Sequence, residues 1–295
     1  MKTKECGRLL LSKNVRDNPS QRESFMQLAA DVFGLSFHNW YARGYWQDAY
    51  LPYTLFDCGR AVANISVNRM KTMVDGQPKR YIQLGTVMTA PAYRNRGLSR
   101  RLMEAVLSDW RTQCDGIYLY ANDTVLDFYP KFGFLKAEEY GFSRPIAPSP
   151  APFVRLDMDK EESVRLLYSY YEKGNPINAR PMLHNFGLLM FYCGGFLKDC
   201  VYYSATLDCI VIAEYEAQTM ICHEIFCDEK ADTERILAAV ARTETRCIEF
   251  GFTPKSRSGC EQKRIGSGSD QLFVWSGGEN MFASGSMRMP SLSQA

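Results

Sequence analysis

The sequence is short of several things. It has 3 histidines in 295 residues and no Cys-x-x-Cys pair, and 35 Lys and Arg against 33 Asp and Glu leave a net charge of only +2. A nearly neutral chain excludes a broad electrostatic footprint for nucleic acid or an anionic membrane, though not a local basic patch. Long apolar runs are missing too. Leu9 to Leu11 is far too short for the h-region of a signal peptide. The longest apolar stretch, Phe186 to Phe196, is broken by glycines and falls well short of the roughly twenty residues a membrane span needs. These shortages predict a soluble, cytoplasmic protein with no membrane and no nucleic-acid partner. The 10 cysteines then read as reduced, small buried hydrophobes. Their tightest cluster, Cys222-His223-x-x-x-Cys227, lies on a predicted strand, where residues five apart face opposite sides. No metal site is expected.

What is present is ordinary globular material, 46% hydrophobic and 23% charged. At roughly 150 residues per domain the length predicts two domains. Pro145, Pro148, Pro150 and Pro152 mark a linker over 146–152, dividing residues 1–145 from 153–295. Hydrophobic periodicity predicts an α/β class with mixed (α+β) sheets. In the first half, strands are expected at 8–13, 53–57, 60–69, 80–89, 117–121 and 134–142. Helices are expected at 20–34, 97–113 and 124–132. The second half repeats that order without a sequence repeat. Its strands are expected at 154–157, 200–206, 209–216, 218–227, 246–252, 271–276 and 281–289, and its helices at 159–173, 180–198 and 232–243.

The most informative run is Thr89-Ala90-Pro91-Ala92-Tyr93-Arg94-Asn95-Arg96-Gly97-Leu98-Ser99-Arg100. It sets a strand end, a short basic loop with a glycine, and a helix start in sequence. A helix N-terminus offers unpaired N–H groups and the positive end of a dipole, which suit a phosphate. Gly97 would let the backbone come close to an anion, with Arg94, Arg96 and Arg100 adding positive charge. The plain alternative is a basic surface loop that caps a helix.

Arg94-x-x-Gly97-x-Ser99 after Val87-Met88-Thr89 resembles motif A of the GNAT N-acetyltransferase superfamily, Gln/Arg-x-x-Gly-x-Gly/Ala, with Ser99 as a small departure. A second match follows. Asn122 and, seven residues on, Tyr129 within Phe128-Tyr129-Pro130-Lys131-Phe132-Gly133-Phe134 resemble the family's Asn…Phe-Tyr-x-Lys-x-Gly-Phe segment. The resemblance covers about residues 8–145. It implies a GNAT fold in which strands 80–89 and 116–121 are parallel but splayed, with the pantetheine arm of acetyl-CoA between them. Val87, Met88 and Thr89 would pair with that arm, Asn95, Arg96, Gly97, Leu98, Ser99 and Arg100 would hold the pyrophosphate beside Arg94, and Asn122 would hold the arm from the other side.

The implied activity is that of an acyltransferase: acetyl transfer from a thioester to an amine by direct attack. Tyr129 matches the family's general acid, and a backbone N–H near Met88 would stabilise the oxyanion. Where histone-type members carry a Glu this chain has Gln83, which cannot take a proton, and no Asp or Glu occurs in 79–89. His38, Asp48, Asp57 and the C-terminus at Ala295 are alternative bases. The leading expectation is deprotonation through water, without a dedicated side chain. The stretch holding Trp40, Tyr41, Tyr45, Trp46 and Asp48 falls where the family binds its acceptor, so these residues, with Gln83, are candidate acceptor contacts. The other reading is simple packing of a short helix on the sheet.

In the second half the corresponding strand runs into Asp228, Glu229, Asp232 and Glu234, carboxylates that would repel a pyrophosphate. It is expected to be a degenerate GNAT-like domain without a cofactor loop. The tandem order is similar to the first two domains of enhanced-intracellular-survival-type acetyltransferases. The expected acceptor is a small-molecule or peptide amine, and a homo-oligomer is left open. Two other functions compete: a non-catalytic acyl-CoA sensor, favoured by Gln83, and an aminoacyl-tRNA-dependent peptidoglycan transferase, disfavoured by the pyrophosphate loop.

Overall fold

The computed structural model describes residues 9–74, 76–266, 270–283 and 285–294. In the first half the strands are β1 (Leu10–Ser12), β2 (Tyr50–Asp57), β3 (Arg60–Val74), β4 (Gln77–Thr89), β5 (Gly116–Ala121), β6 (Phe134–Lys136) and β7 (Tyr140–Pro145). Those of the second half are β8 (Val154–Arg155), β9 (Val201–Ser204), β10 (Cys209–Glu216), β11 (Thr219–Cys227), β12 (Cys247–Phe250), β13 (Glu261–Arg264) and β14 (Gln271–Trp275). Helices are α1 (Pro19–Phe33), α2 (His38–Ala42), α3 (Leu98–Trp110), α4 (Glu161–Tyr171), α5 (Phe186–Phe191) and α6 (Thr233–Val240).

Local chemistry sets the helix ends. Asn18 caps α1 by accepting from the Gln21 N–H, Pro19 takes the first position, and Gly34 closes it in the left-handed region at φ 68°. The four-residue spacing in α3 buries Leu98, Leu102 and Val106 together with Met103 against the sheet.

The strands form two seven-stranded mixed sheets, ordered β1-β2-β3-β4-β5-β14-β6 and β13-β7-β12-β11-β10-β9-β8. Each has one parallel pair, β4 with β5 and β11 with β12. Pairing does not follow the linear division at 146–152. β7 leaves the first half to pair with β12 and β13, and β14 crosses back to fill the place between β5 and β6. Phe273 of β14 is fully buried in the first core with Leu84, Leu119, Tyr129 and Phe134. The expected strand 271–276 is therefore present but belongs to the other sheet.

Other expectations shift for local reasons. Residues 134–142 divide into β6 and β7, which belong to different sheets. The expected helix at 124–132 is a pair of 3-10 turns, Asp123–Val125 and Tyr129–Phe132, with Pro130 entering the second. The stretch 180–198 is helical only from Phe186 and continues as a π-turn at Tyr192–Phe196. Among the described residues of 281–289 no strand forms; Met281, Phe282, Met287 and Met289 pack there in irregular structure.

That segment runs on into the groove of the second sheet. β11 and β12 pair only as far as Cys222 with Phe250. Just beyond, the Ser291 N–H donates to the Gly251 carbonyl at 2.7 Å, and Ser291 Oγ lies 2.8 Å from His223 Nδ1. The chain's own tail thus bridges the two strand ends at the place that corresponds to the parting of β4 and β5.

Candidate active site

β4 and β5 pair from Tyr81 with Gly116 to Leu84 with Leu119 and then part. The β5-facing edge of 85–89 is left without a neighbouring strand, and a cleft of about 910 Å³ opens there. The parting coincides with a bulge. Register with β3 slips between Asn64 and Ser66, and Thr86 takes a left-handed φ of 46°. Buried polar groups brace this strained residue. Asn64 Nδ2 donates to the Thr86 carbonyl at 2.9 Å, and Thr54 Oγ1 donates to Asn64 Oδ1 at 2.7 Å. The Tyr50 hydroxyl lies 2.8 Å from Thr86 Oγ1 and accepts from Ser66 Oγ.

At one end of the cleft, Asn95 at φ 61° and Gly97 at φ 75° curl the loop so that it delivers its backbone to the start of α3. No side chain caps α3, so its first N–H groups remain available to an anion. Thr89 Oγ1 and Ser99 Oγ lie 3.0 Å apart across the strand–helix corner. Arg94, Asn95, Gly97, Leu98, Ser99 and Arg100 all line the cleft. Arg96 does not; its guanidinium stacks over the Tyr93 ring. Asn122 lines the β5 side and uses its Oδ1 to cap the turn at Thr124, leaving its Nδ2 donor for a ligand.

Gln83, Val87, Met88 and Thr89 also line the cleft. The Met88 side chain belongs to the buried cluster with Phe25 and Trp46, so only its backbone is suited to a bound group. Tyr129 is buried among Phe128, Phe134 and Phe273 and reaches the same cleft. Burial pushes its phenol up to about 12, and the Asp270 carboxylate adds to the effect.

The aromatic stretch does not line the cleft itself. Trp40 and Trp46 stack with their ring centroids 5.8 Å apart inside a cluster with Phe25, Phe37, Tyr50 and Phe191. Trp40 Nε1 donates to the Gly187 carbonyl, and Trp46 Nε1 donates to that of Tyr50. Their rings dock α2 on α1 and α5, and neither residue lines the cleft. Tyr41 packs under the Arg22 guanidinium, while Tyr45 and Trp40 border a 320 Å³ cavity that shares Leu35, Phe191 and Phe196 with the cleft. Asp48 pairs with Arg16 beside another cavity on a different face. The alternative bases also lie elsewhere: His38 is exposed near Glu23, and Asp57 accepts from the Tyr93 hydroxyl. Ala295 lies outside the described residues.

Other side chains line the rest of the cleft. Phe33 and Leu35 come from the end of α1 and the turn after it, Phe191, Tyr192 and Phe196 from α5 and its π-turn, Tyr120 from β5, and Gln294 from the tail. The Tyr120 hydroxyl donates to Glu139 Oε1 at 2.8 Å. The Glu139 carboxylate is buried, and desolvation raises its pKa, opposed by the Met289 N–H, Tyr120 and Arg288. Only the apolar run 186–196 hinted at any of this in the sequence.

Comparison with known proteins follows the same lines. Residues 16–137 match the family model described as an acetyltransferase (GNAT) domain. No curated protein matches the sequence. A probable N-acyltransferase from Enterococcus faecalis V583 superposes with a TM-score of 0.62 at 12% identity, over 90% of this chain and 71% of its own. A GCN5-related N-acetyltransferase from Kribbella flavida gives 0.57 at 15% identity, over 92% and 72%. Eis1 from Mycobacterium abscessus gives 0.56 at 16% identity, over 90% and 73%. At these identities the likeness is one of fold, and it extends across both sheets.

Proposed function

We propose, from the premise that residues 16–137 are an acetyltransferase domain of the GNAT family, that the protein transfers an acetyl group from acetyl-CoA to the amine of a small molecule or peptide. The observation that carries this reading is the coincidence, in one cleft, of three things: the bulged and parted edge of β4, the uncapped start of α3 with its arginines, and the buried phenol of Tyr129. Acetyl-CoA is the donor substrate. The 94–100 loop would hold its pyrophosphate through backbone N–H groups, Arg94 and Arg100. The free edge of Val87 to Thr89 and the amide of Asn122 would hold the pantetheine arm.

In the transfer itself a neutral amine attacks the thioester carbonyl. A backbone N–H on β4, at or beside Met88, stabilises the oxyanion, and Tyr129 gives its proton to the departing sulfur. The bound donor belongs to the first sheet. The matching groove between β11 and β12 is bridged by Ser291, and the acidic run beyond it suits no pyrophosphate.

A panel of amines, read by free-thiol release and product mass, tests the reading, with calorimetry of acetyl-CoA on the intact protein. One donor site per chain, lost in Gly97→Trp, and transfer to at least one amine are expected. Tight donor binding without transfer to any amine would make the protein an acyl-CoA sensor.

A further inference from the structure

Gln83 leaves the cleft without a proton acceptor on β4, and we propose that Tyr120 and Glu139 supply it. Tyr120 takes the proton from the acceptor amine, and Glu139, acting through Tyr120, is the positioning residue that receives Tyr120's own proton. The inference rests on the acetyl-transfer reading above.

Tyr120 stands on β5 just past the point where that strand leaves β4, and it lines the cleft together with Gln83. Its hydroxyl proton already points at a carboxylate, 2.8 Å away on Glu139 Oε1. Glu139 is 8% exposed, and the same oxygen accepts the Met289 N–H at 3.1 Å. A buried carboxylate held by two donors is arranged to carry charge, and its desolvation makes it a stronger base than an exposed Glu. Among the described residues the one carboxylate lining the cleft is Asp270, which acts on Tyr129 at the sulfur end. The charged and titratable groups facing the pair are Arg288 beside Glu139, Tyr118 on the same strand, and Tyr192 across the cleft, with the neutral Gln294 at the Tyr120 hydroxyl.

The step balances. The acceptor ammonium loses a proton to the Tyr120 oxygen as the Tyr120 proton moves to Glu139. The neutral amine forms its C–N bond, the C–S bond breaks, and the thiolate takes the Tyr129 proton. The surplus proton on the amide nitrogen restores Tyr129 through water. Once the amide leaves, Glu139 discharges its proton to solvent back through Tyr120. Water alone is then not the base.

The test is the pH dependence of kcat/KM for Glu139→Gln and Tyr120→Phe, measured with two acceptors of different amine pKa. In the unaltered protein the rising limb is expected at the same pH for both acceptors. Each variant should lose about 100-fold in kcat at pH 7, keep its acetyl-CoA affinity, and show a limb that now follows each acceptor. The double variant should be no worse than either single one. Tyr120→Phe keeps the ring packed against Tyr118 and stands in should Glu139→Gln not fold. An unaltered protein whose limb already tracks the acceptor, or variants that leave the profile unmoved, would overturn the relay alone. An unaltered protein that acetylates no amine overturns the parent reading, and the relay with it.

Discussion

In the proposed transfer Tyr129 would have to keep its proton until the sulfur departs, and burial favours that. Its pKa near 12 means that it is protonated throughout the working range, so it adds no falling limb to kcat below about pH 11. Tyr129→Phe should lower kcat by about 10²–10⁴, while the lost hydroxyl changes donor binding by only about 1 kcal/mol. Steady-state kinetics with a working acceptor, set against donor calorimetry, separate the two effects. Near-normal kcat with weakened donor binding would make Tyr129 a packing residue. A second buried acid follows the same physics without any part in the reaction. Glu224 on β11 accepts from Asn175 Nδ2 at 2.6 Å, and desolvation raises its pKa to about 7. The folded state therefore prefers the protonated form. Its contribution to stability is full below the ordinary value of 4.5 and is lost as pH rises through 7. Glu224→Gln should leave stability at pH 4 nearly unchanged and raise it at pH 8 by on the order of 2–3 kcal/mol, read by urea unfolding at both.

The bulge in β4 is where an element becomes a site. A regular strand would carry 85–89 onward beside β5 and close the cleft. The slip opposite Asn64 and Ser66 turns it outward, and the Asn64 amide satisfies the Thr86 carbonyl that the slip exposes. Asn64→Ala removes that donor and should cost about 1–3 kcal/mol, with a KM for acetyl-CoA raised more than the KM for the amine. Urea unfolding and a two-substrate kinetic matrix check both. Much of this element-level picture was legible in the sequence. The order strand, basic glycine loop, apolar four-residue spacing is local, so Val87 to Arg100 could be read directly, and so could Tyr129 within its Phe- and Gly-flanked frame. The aromatic lining of the cleft could not be read. An aromatic run has the same composition whether it lines a cavity or packs a helix. Trp40 and Trp46 point inward because α5, some 140 residues later, lies over them and offers the Gly187 carbonyl. Tyr120 and Glu139 carry no motif, and nothing local reveals that a strand and a connection nineteen positions apart share a proton.

For the whole molecule, the linear division misleads most. Proline spacing predicts a break in the chain at 146–152, but Ile146, Ser149 and Ala151 there donate backbone hydrogen bonds to the second half, and strand exchange crosses the division because it is set by long-range pairing that no local pattern encodes. Residues 1–145 contain every proposed donor-binding group yet lack β14, and their β7 has its partners elsewhere. The isolated 1–145 fragment should therefore be insoluble or unfolded by circular dichroism. Adding the 153–295 half in trans should restore acetyl-CoA binding only if the two refold together. A fragment that binds acetyl-CoA alone would show β14 to be dispensable.

The same exchange sets a clock on synthesis. β6 ends at Lys136, and the strand that must lie beside it begins at Gln271. On a ribosome adding about 5–20 residues per second, the slot between β5 and β6 stands open for roughly 7–27 s. Through that interval two unpaired strand edges and the apolar surface that Phe273 will later cover face solvent. The nascent N-terminal half thus carries its 94–100 loop on a sheet still waiting for a strand from the far end of the chain.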